Sequence, residues 1–144
     1  MRDRRPWRGR PWQGGRILVA EDNFLLGEVV CDFLCQYGLE PIGPLTTLEH
    51  AAVVACDDTL DGAILDLKLG GNLCFPVCSI LDARGVPFIF LTGYADLSMI
   101  PAEFRAVPLI CKPFETTEMK SALAAMLHLD EDLRLSKPIL PLRN

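Results

Sequence analysis

The chain has 144 residues, half of them hydrophobic and 23% charged, with a net charge of −5. That is the size of one compact domain with enough apolar material for a core, and it excludes disordered and fibrous chains. No apolar run is long enough to cross a bilayer, and no apolar stretch follows the N-terminal arginines as in a secretory leader, so a soluble, cytoplasmic protein is expected.

The charge is uneven. Residues 1–16 hold Arg2, Arg4, Arg5, Arg8, Arg10 and Arg16 against Asp3, about +5, which leaves about −10 on the rest. An acidic body repels DNA and attracts cations. The basic segment suits an acidic partner, a nucleic acid or a membrane surface, or is a solvated terminus. Cys31, Cys35, Cys56, Cys74, Cys78 and Cys111 form no CxxC, and the only histidines are His50 and His128. Zinc and redox motifs need tighter spacing, so reduced cysteines packed in a core are expected.

Residues 1–15, rich in Arg, Pro, Gly and Trp, read as an irregular arm. Ile17–Ala20 is a short apolar run, a buried strand. Asn23 then caps a helix in which Leu26, Val29, Val30, Phe33 and Tyr37 recur at helical spacing, until Gly38 ends it. Leu39–Gly43 is a weak strand around Pro41, and Thr46–Cys56 is a helix capped by Thr46 or Thr47. Gly62–Asp66 is a second buried strand, Gly70–Asn72 a loop, and a helix runs from there to about Ala83. After Gly85, Val86–Leu91 is the next strand. Residues 95–105 are ambiguous because Pro101 interrupts any long helix. Val107–Cys111 is the last strand, and Met119, Ala122, Leu123, Met126 and Leu127 mark one face of the last helix. The tail (130–144) contains Pro138 and Pro141.

The order is strand–helix, repeated five times. Wholly apolar strands separated by helices predict an α/β fold: a doubly wound, five-stranded parallel sheet with helices on both faces, over residues 16–129. In such sheets the site lies at the carboxyl ends of the strands, near the switch in strand order. Those ends carry Glu21 and Asp22, then Asp66, then Thr92-Gly93, then Lys112-Pro113. Taken singly, each has a plain structural reading: helix-start acids, a loop cap, a turn, a solvated charge. Together they put three carboxylates, a hydroxyl and an ammonium along one edge. Clustered carboxylates are relieved by protonation or by a hard cation, and magnesium takes such oxygen ligands. A carboxylate can also attack phosphorus, with the cation and lysine stabilising the transferred group.

The segments ILVAEDN (17–23), AILDLKLGG (63–71), FLTGY (90–94) and CKPF (111–114) resemble the receiver domains of bacterial two-component response regulators, and the resemblance spans residues 16–128. The stretch Pro87-Phe88-Ile89-Phe90-Leu91-Thr92-Gly93-Tyr94 resembles a stand-alone subgroup with a PFxFATGY motif, with Leu91 in place of Ala. The resemblance implies that Asp66 is the phosphoacceptor. It implies that Glu21, Asp22, Asp66 and the backbone carbonyl of Lys68 hold Mg2+. It further implies that Thr92 moves toward the phosphoryl group, that Lys112 pairs with it, and that Lys112-Pro113 is cis. The donor would be a sensor histidine kinase or a histidine phosphotransfer protein docking on the first helix, where Glu28, Asp32 and Gln36 are expected to be exposed. Output would pass to a downstream protein partner, or the protein would act as a phosphate sink. About 16 residues follow His128, so no DNA-binding output domain is expected, and the protein would not be an enzyme beyond assisting its own phosphorylation and dephosphorylation.

Two departures stand out. Leu109 occupies the position where most receivers carry a switch Tyr or Phe, and Pro101 falls where the fourth helix should run. Tyr94 is then expected to take part of the switch role, and Lys68 and Tyr94 to slow hydrolysis by flanking the approach of water. Three alternatives remain open at this stage. A haloacid-dehalogenase-like phosphatase needs an acid where Lys68 stands. A nucleotide-binding module needs a glycine motif that Gly14-Gly15 and Gly70-Gly71 do not form. An adaptor of the same fold would lack the phosphorylation chemistry.

Overall fold

A computed structural model of the chain describes residues 14–93 and 97–128. The expected tail, Tyr94, and all of the expected arm except Gly14 and Gly15 lie outside the described residues.

The core elements are β1 (Arg16–Ala20), α1 (Phe24–Gln36), β2 (Glu40–Leu45), α2 (Leu48–Asp57) and β3 (Gly62–Asp66). A two-stranded hairpin follows, β4 (Lys68–Leu69) and β5 (Asn72–Leu73), then α3 (Phe75–Ala83), β6 (Phe88–Thr92), β7 (Leu109–Cys111) and α4 (Thr116–Met126). The main sheet is five-stranded and parallel, in the order β2-β1-β3-β6-β7. The order reverses between β1 and β3, so their carboxyl ends open onto the crevice where such sheets bind ligands.

Strand alternation divides the core into two layers. Ile17, Val19, Ile64, Ile89, Leu91 and Ile110 face α1 and α4, where Val30, Phe33, Leu34, Met119 and Leu123 close over them. Leu18, Ala20, Ala63, Leu65, Phe88 and Phe90 face α2 and α3, meeting Ala51, Ala55, Val77 and Leu81. Asn23 caps α1 by accepting from the Leu26 amide at 3.2 Å, and Thr47, not Thr46, caps α2 by accepting from that of His50 at 3.2 Å.

Four expectations need correction. The fourth of the five expected helices is absent among the described residues: between β6 and β7 they form two 3-10 turns, Leu97–Met99 and Ala102–Phe104. Pro101, which has no amide hydrogen to donate, stands between them and stops a longer helix. Phe104 and Ile100 do the covering instead. Phe104 stacks on Phe75 at 6.2 Å and meets Phe88 edge-on at 5.8 Å, sealing the sheet face that a helix would have covered. Next, the predicted loop holds at Gly70-Gly71, the tip of the β4–β5 hairpin at φ of +57° and +88°, but Asn72 belongs to β5 rather than to the loop. Positive φ at both central residues is the primed-turn geometry that fits strand twist. Third, Val29 is 54% exposed, because it lies one position off the buried stripe of Val30, Phe33, Leu34 and Tyr37. Finally, Asp32 and Gln36 are half-buried, and only Glu28 of the three acidic or polar positions expected on the α1 surface is fully exposed.

Candidate functional site

The four strand ends bring the predicted residues together. Glu21, the first residue beyond β1, donates its amide to the Leu45 carbonyl at 2.9 Å, which ties it to the end of β2. Its Oε2 accepts from the Asn23 amide at 2.9 Å, turning the carboxylate inward rather than over the helix start. Asp66 ends β3, beside Leu91 of β6. The amide of Lys112 donates to the Thr92 carbonyl at 2.8 Å, so the β6 and β7 ends are held in register. The Lys112-Pro113 peptide bond is cis, as is Gly43-Pro44, which the sequence did not suggest.

Lys112 is the hub. Its Nζ lies 2.7 Å from Glu21 Oε1 and 2.9 Å from Asp66 Oδ2. The contact with Asp66 is a well-formed hydrogen bond. That with Glu21 is an ion pair without hydrogen-bond alignment, and it leaves Oε1 as the one buried side-chain oxygen without a hydrogen bond among the described residues. Glu21 is 1% exposed, Thr92 4% and Asp66 6%. One ammonium is thus shared by two nearly buried carboxylates.

The electrostatics follow from that sharing. Burial pushes the Glu21 carboxyl up to about 7; Lys112 and the Asn23 amide pull it down, and the Asp66 charge adds to the rise. For Lys112, burial favours the neutral amine, but the close contacts with the Glu21 and Asp66 carboxylates outweigh it and raise its pKa. The two directions are compatible: Lys112 stays charged because two acids need it, and Glu21 still leans toward its neutral form because it has only part of one cation.

Glu21, Asp22 and Asp66 each offer an oxygen, and these oxygens lie within 4.8 Å of one another. An all-oxygen donor set of this kind, with an unsatisfied buried Oε1 at its edge, fits a hard divalent cation such as Mg2+. Asp22 is the exposed member, and its Oδ2 accepts from the Gly70 amide at 3.1 Å, which ties the hairpin to the acidic cluster. Asp66 Oδ1 accepts a long bond, 3.4 Å, from the Lys68 amide. The site opens through a pocket of about 340 Å³ lined by Asp22, Asp66, Leu67, Lys68, Thr92, Gly93 and Met99. Lys68 is exposed at its mouth, and Met99 arrives on the first 3-10 turn.

Sequence reasoning missed Met99, the Asp22–Gly70 tether and the competition for Lys112. The tether had a readable signal in Gly70-Gly71 flanked by Leu69 and Leu73. Leu109 is half-buried and pairs with Phe90, so no aromatic ring stands at its position.

No protein-family model matches the chain. The solution structure of SdrG from Sphingomonas melonis Fr1 superposes with a TM-score of 0.70 at 37% identity, covering 79% of this chain and 97% of that one. The chain belongs to the response-regulator receiver family. The non-phosphorylated HemR receiver domain from Leptospira biflexa gives a TM-score of 0.68 at 25% identity, over 81% of this chain and 97% of that one. The regulatory protein VirG of Agrobacterium fabrum is 24% identical over 135 residues, 90% of this receiver chain and 52% of VirG. The chain thus spans about half the length of that curated relative. The fold is the five-stranded, flavodoxin-like receiver fold. Among the described residues no helix is long and apolar enough to cross a membrane.

Proposed function

We propose that this receiver is a response-regulator domain that takes a phosphoryl group onto Asp66 from a phosphohistidine donor in a two-component relay. The observation that carries the reading is the pairing of Asp66 with Lys112 at 2.9 Å inside an acidic cluster at the sheet's switch point. An Asp66 oxygen forms the new bond to phosphorus as the donor's phosphorus–nitrogen bond breaks, and the imidazole released takes up a proton. Lys112 holds the nucleophile in line and meets charge on the transferred group. Thr92 ends β6 and lines the pocket, and in this reading it follows that group. Glu21, Asp22, Asp66 and the Lys68 carbonyl would hold Mg2+, whose charge stabilises the phosphoryl oxygens. The acceptor turns over no external substrate, so the protein is a signalling module rather than an enzyme. A haloacid-dehalogenase-like phosphatase is disfavoured because exposed Lys68 stands where that chemistry needs a second acid. A cytoplasmic location and a downstream protein partner or sink role go with this reading.

The test is intact-mass spectrometry after incubation with acetyl phosphate and Mg2+. One added phosphoryl group is expected, absent from Asp66→Asn and from the sample in EDTA. If a phosphohistidine donor also failed to label the wild type, the adaptor reading would replace this one. With label in hand, Lys68→Ala and Tyr94→Ala should each shorten the lifetime of the phosphorylated form severalfold. Unchanged decay in both would remove them as shields against water.

A further inference from the structure

On the side away from the pocket, Leu26, Val29, Phe33 and Tyr37 of α1 and its end face Pro113 and Phe114, which precede α4. Together they line an open groove of about 650 Å³. Its floor is aromatic: Phe33 lies 5.1 Å from Tyr37 and 5.5 Å from Phe114, ring centre to ring centre. Its α1 wall carries Asp32, with exposed Glu28 next to Val29 in the same helix, and α1 contains no Lys or Arg. Val29, more than half exposed, stands on that wall.

We propose that this groove is a docking surface for the chain's own residues 1–13. The first argument is position. The Gly14 amide donates to the Gly38 carbonyl at 2.7 Å, so the described chain begins one residue from Tyr37, at one end of the groove. The second is reach. From Tyr37 back to Leu26 the helix rises about 16 Å, and thirteen residues in a Pro-containing extended form span about 40 Å. The third is chemistry. Residues 1–13 contain five arginines, one aspartate and both tryptophans of the chain, Trp7 and Trp12. Indoles suit an aromatic floor and guanidinium groups suit the acidic wall. Lys120, 5.5 Å from the Tyr37 ring centre, puts a positive charge at the Tyr37 end of the α4 side, so the arginines there align on the α1 side. The groove ends at Pro113, next to Lys112, so a docked segment would cover the surface beside the site. The inference does not depend on phosphorylation of Asp66.

Because Trp7 and Trp12 are the only tryptophans, indole fluorescence reports this segment with no core background. The experiment takes the full chain without phosphodonor and measures emission and acrylamide quenching, with Trp7→Phe and Trp12→Phe separating the two signals. Docking predicts emission to the blue of free N-acetyltryptophanamide and quenching reduced several-fold. Val29→Arg and Glu28→Arg, both at exposed positions, should restore free behaviour with unchanged circular dichroism. Emission like free indole in the wild type overturns the proposal. So does protection that survives both variants, which would place the segment elsewhere. So does protection lost on dilution, which would mean a second copy fills the groove.

Discussion

Replacing Lys112 by Met lowers the stability of the magnesium-free protein by about 3 kcal/mol at pH 8, the size expected when one partner of a buried ion pair is removed. At pH 6 the loss is smaller, and what remains is the lost hydrogen bond and ion pair to Asp66. Glu21 is 1% exposed and its carboxyl is pushed up to about 7, so at pH 6 it is mostly neutral and has little need of the ammonium. At pH 8 it is charged in the wild type, and without Lys112 it must either stay charged against Asp66 or take a proton from dilute solution. Met retains most of the aliphatic stem, so packing changes little. Urea denaturation in EDTA at the two pH values measures the difference. Equal losses at both would assign the effect to packing and remove the charge argument. The same variant should take up phosphoryl groups from acetyl phosphate on the order of a hundredfold more slowly, the usual effect of removing one preorganised stabilising group.

What the sequence shows and what it hides divide along the range of the interactions. The short apolar strands, the Asn23 cap and the Gly38 stop are local, and each appears where the sequence puts it. The strand ends follow from the topology, so Glu21, Asp66, Thr92 and Lys112 could be placed along one edge before any coordinates. Of the hairpin over 68–73 only the Gly70–Asn72 loop is legible in the sequence, because its strands are two residues each, too short for an alternation signal. The missing helix could be suspected from Pro101, but not that Phe104 would swing onto Phe75 and Phe88 to close the same face. Nor could spacing show that Val29 would be left outside the core, since the α1 stripe is narrower than its run of apolar residues. The state of Glu21 depends on how deeply three strand ends bury it and on its sharing Lys112 with Asp66. Both are products of the assembled sheet.

That buried carboxyl gives the domain a pH-dependent stability. A carboxyl whose pKa is raised on folding contributes fully below its unfolded pKa of 4.5, and that contribution is lost as pH rises through the folded value of about 7. In the window between, the folded state holds a proton that the unfolded chain has released, so stability falls with pH. A difference of about 2.5 units is worth about 3 kcal/mol. Lys112, its pKa raised from 10.5, stays charged throughout this window and adds no slope of its own. The wild type without magnesium should therefore be less stable at pH 8 than at pH 5 by about 3 kcal/mol in urea titrations. Glu21→Gln should flatten the profile, because the amide fills the same space and does not titrate. Saturating Mg2+ should flatten or invert it, since a cation bound by the ionised cluster stabilises the folded state most where the carboxylates are charged. A slope that persists in Glu21→Gln would move the titration to another group, and one that ignores Mg2+ would remove Glu21 from the cation site.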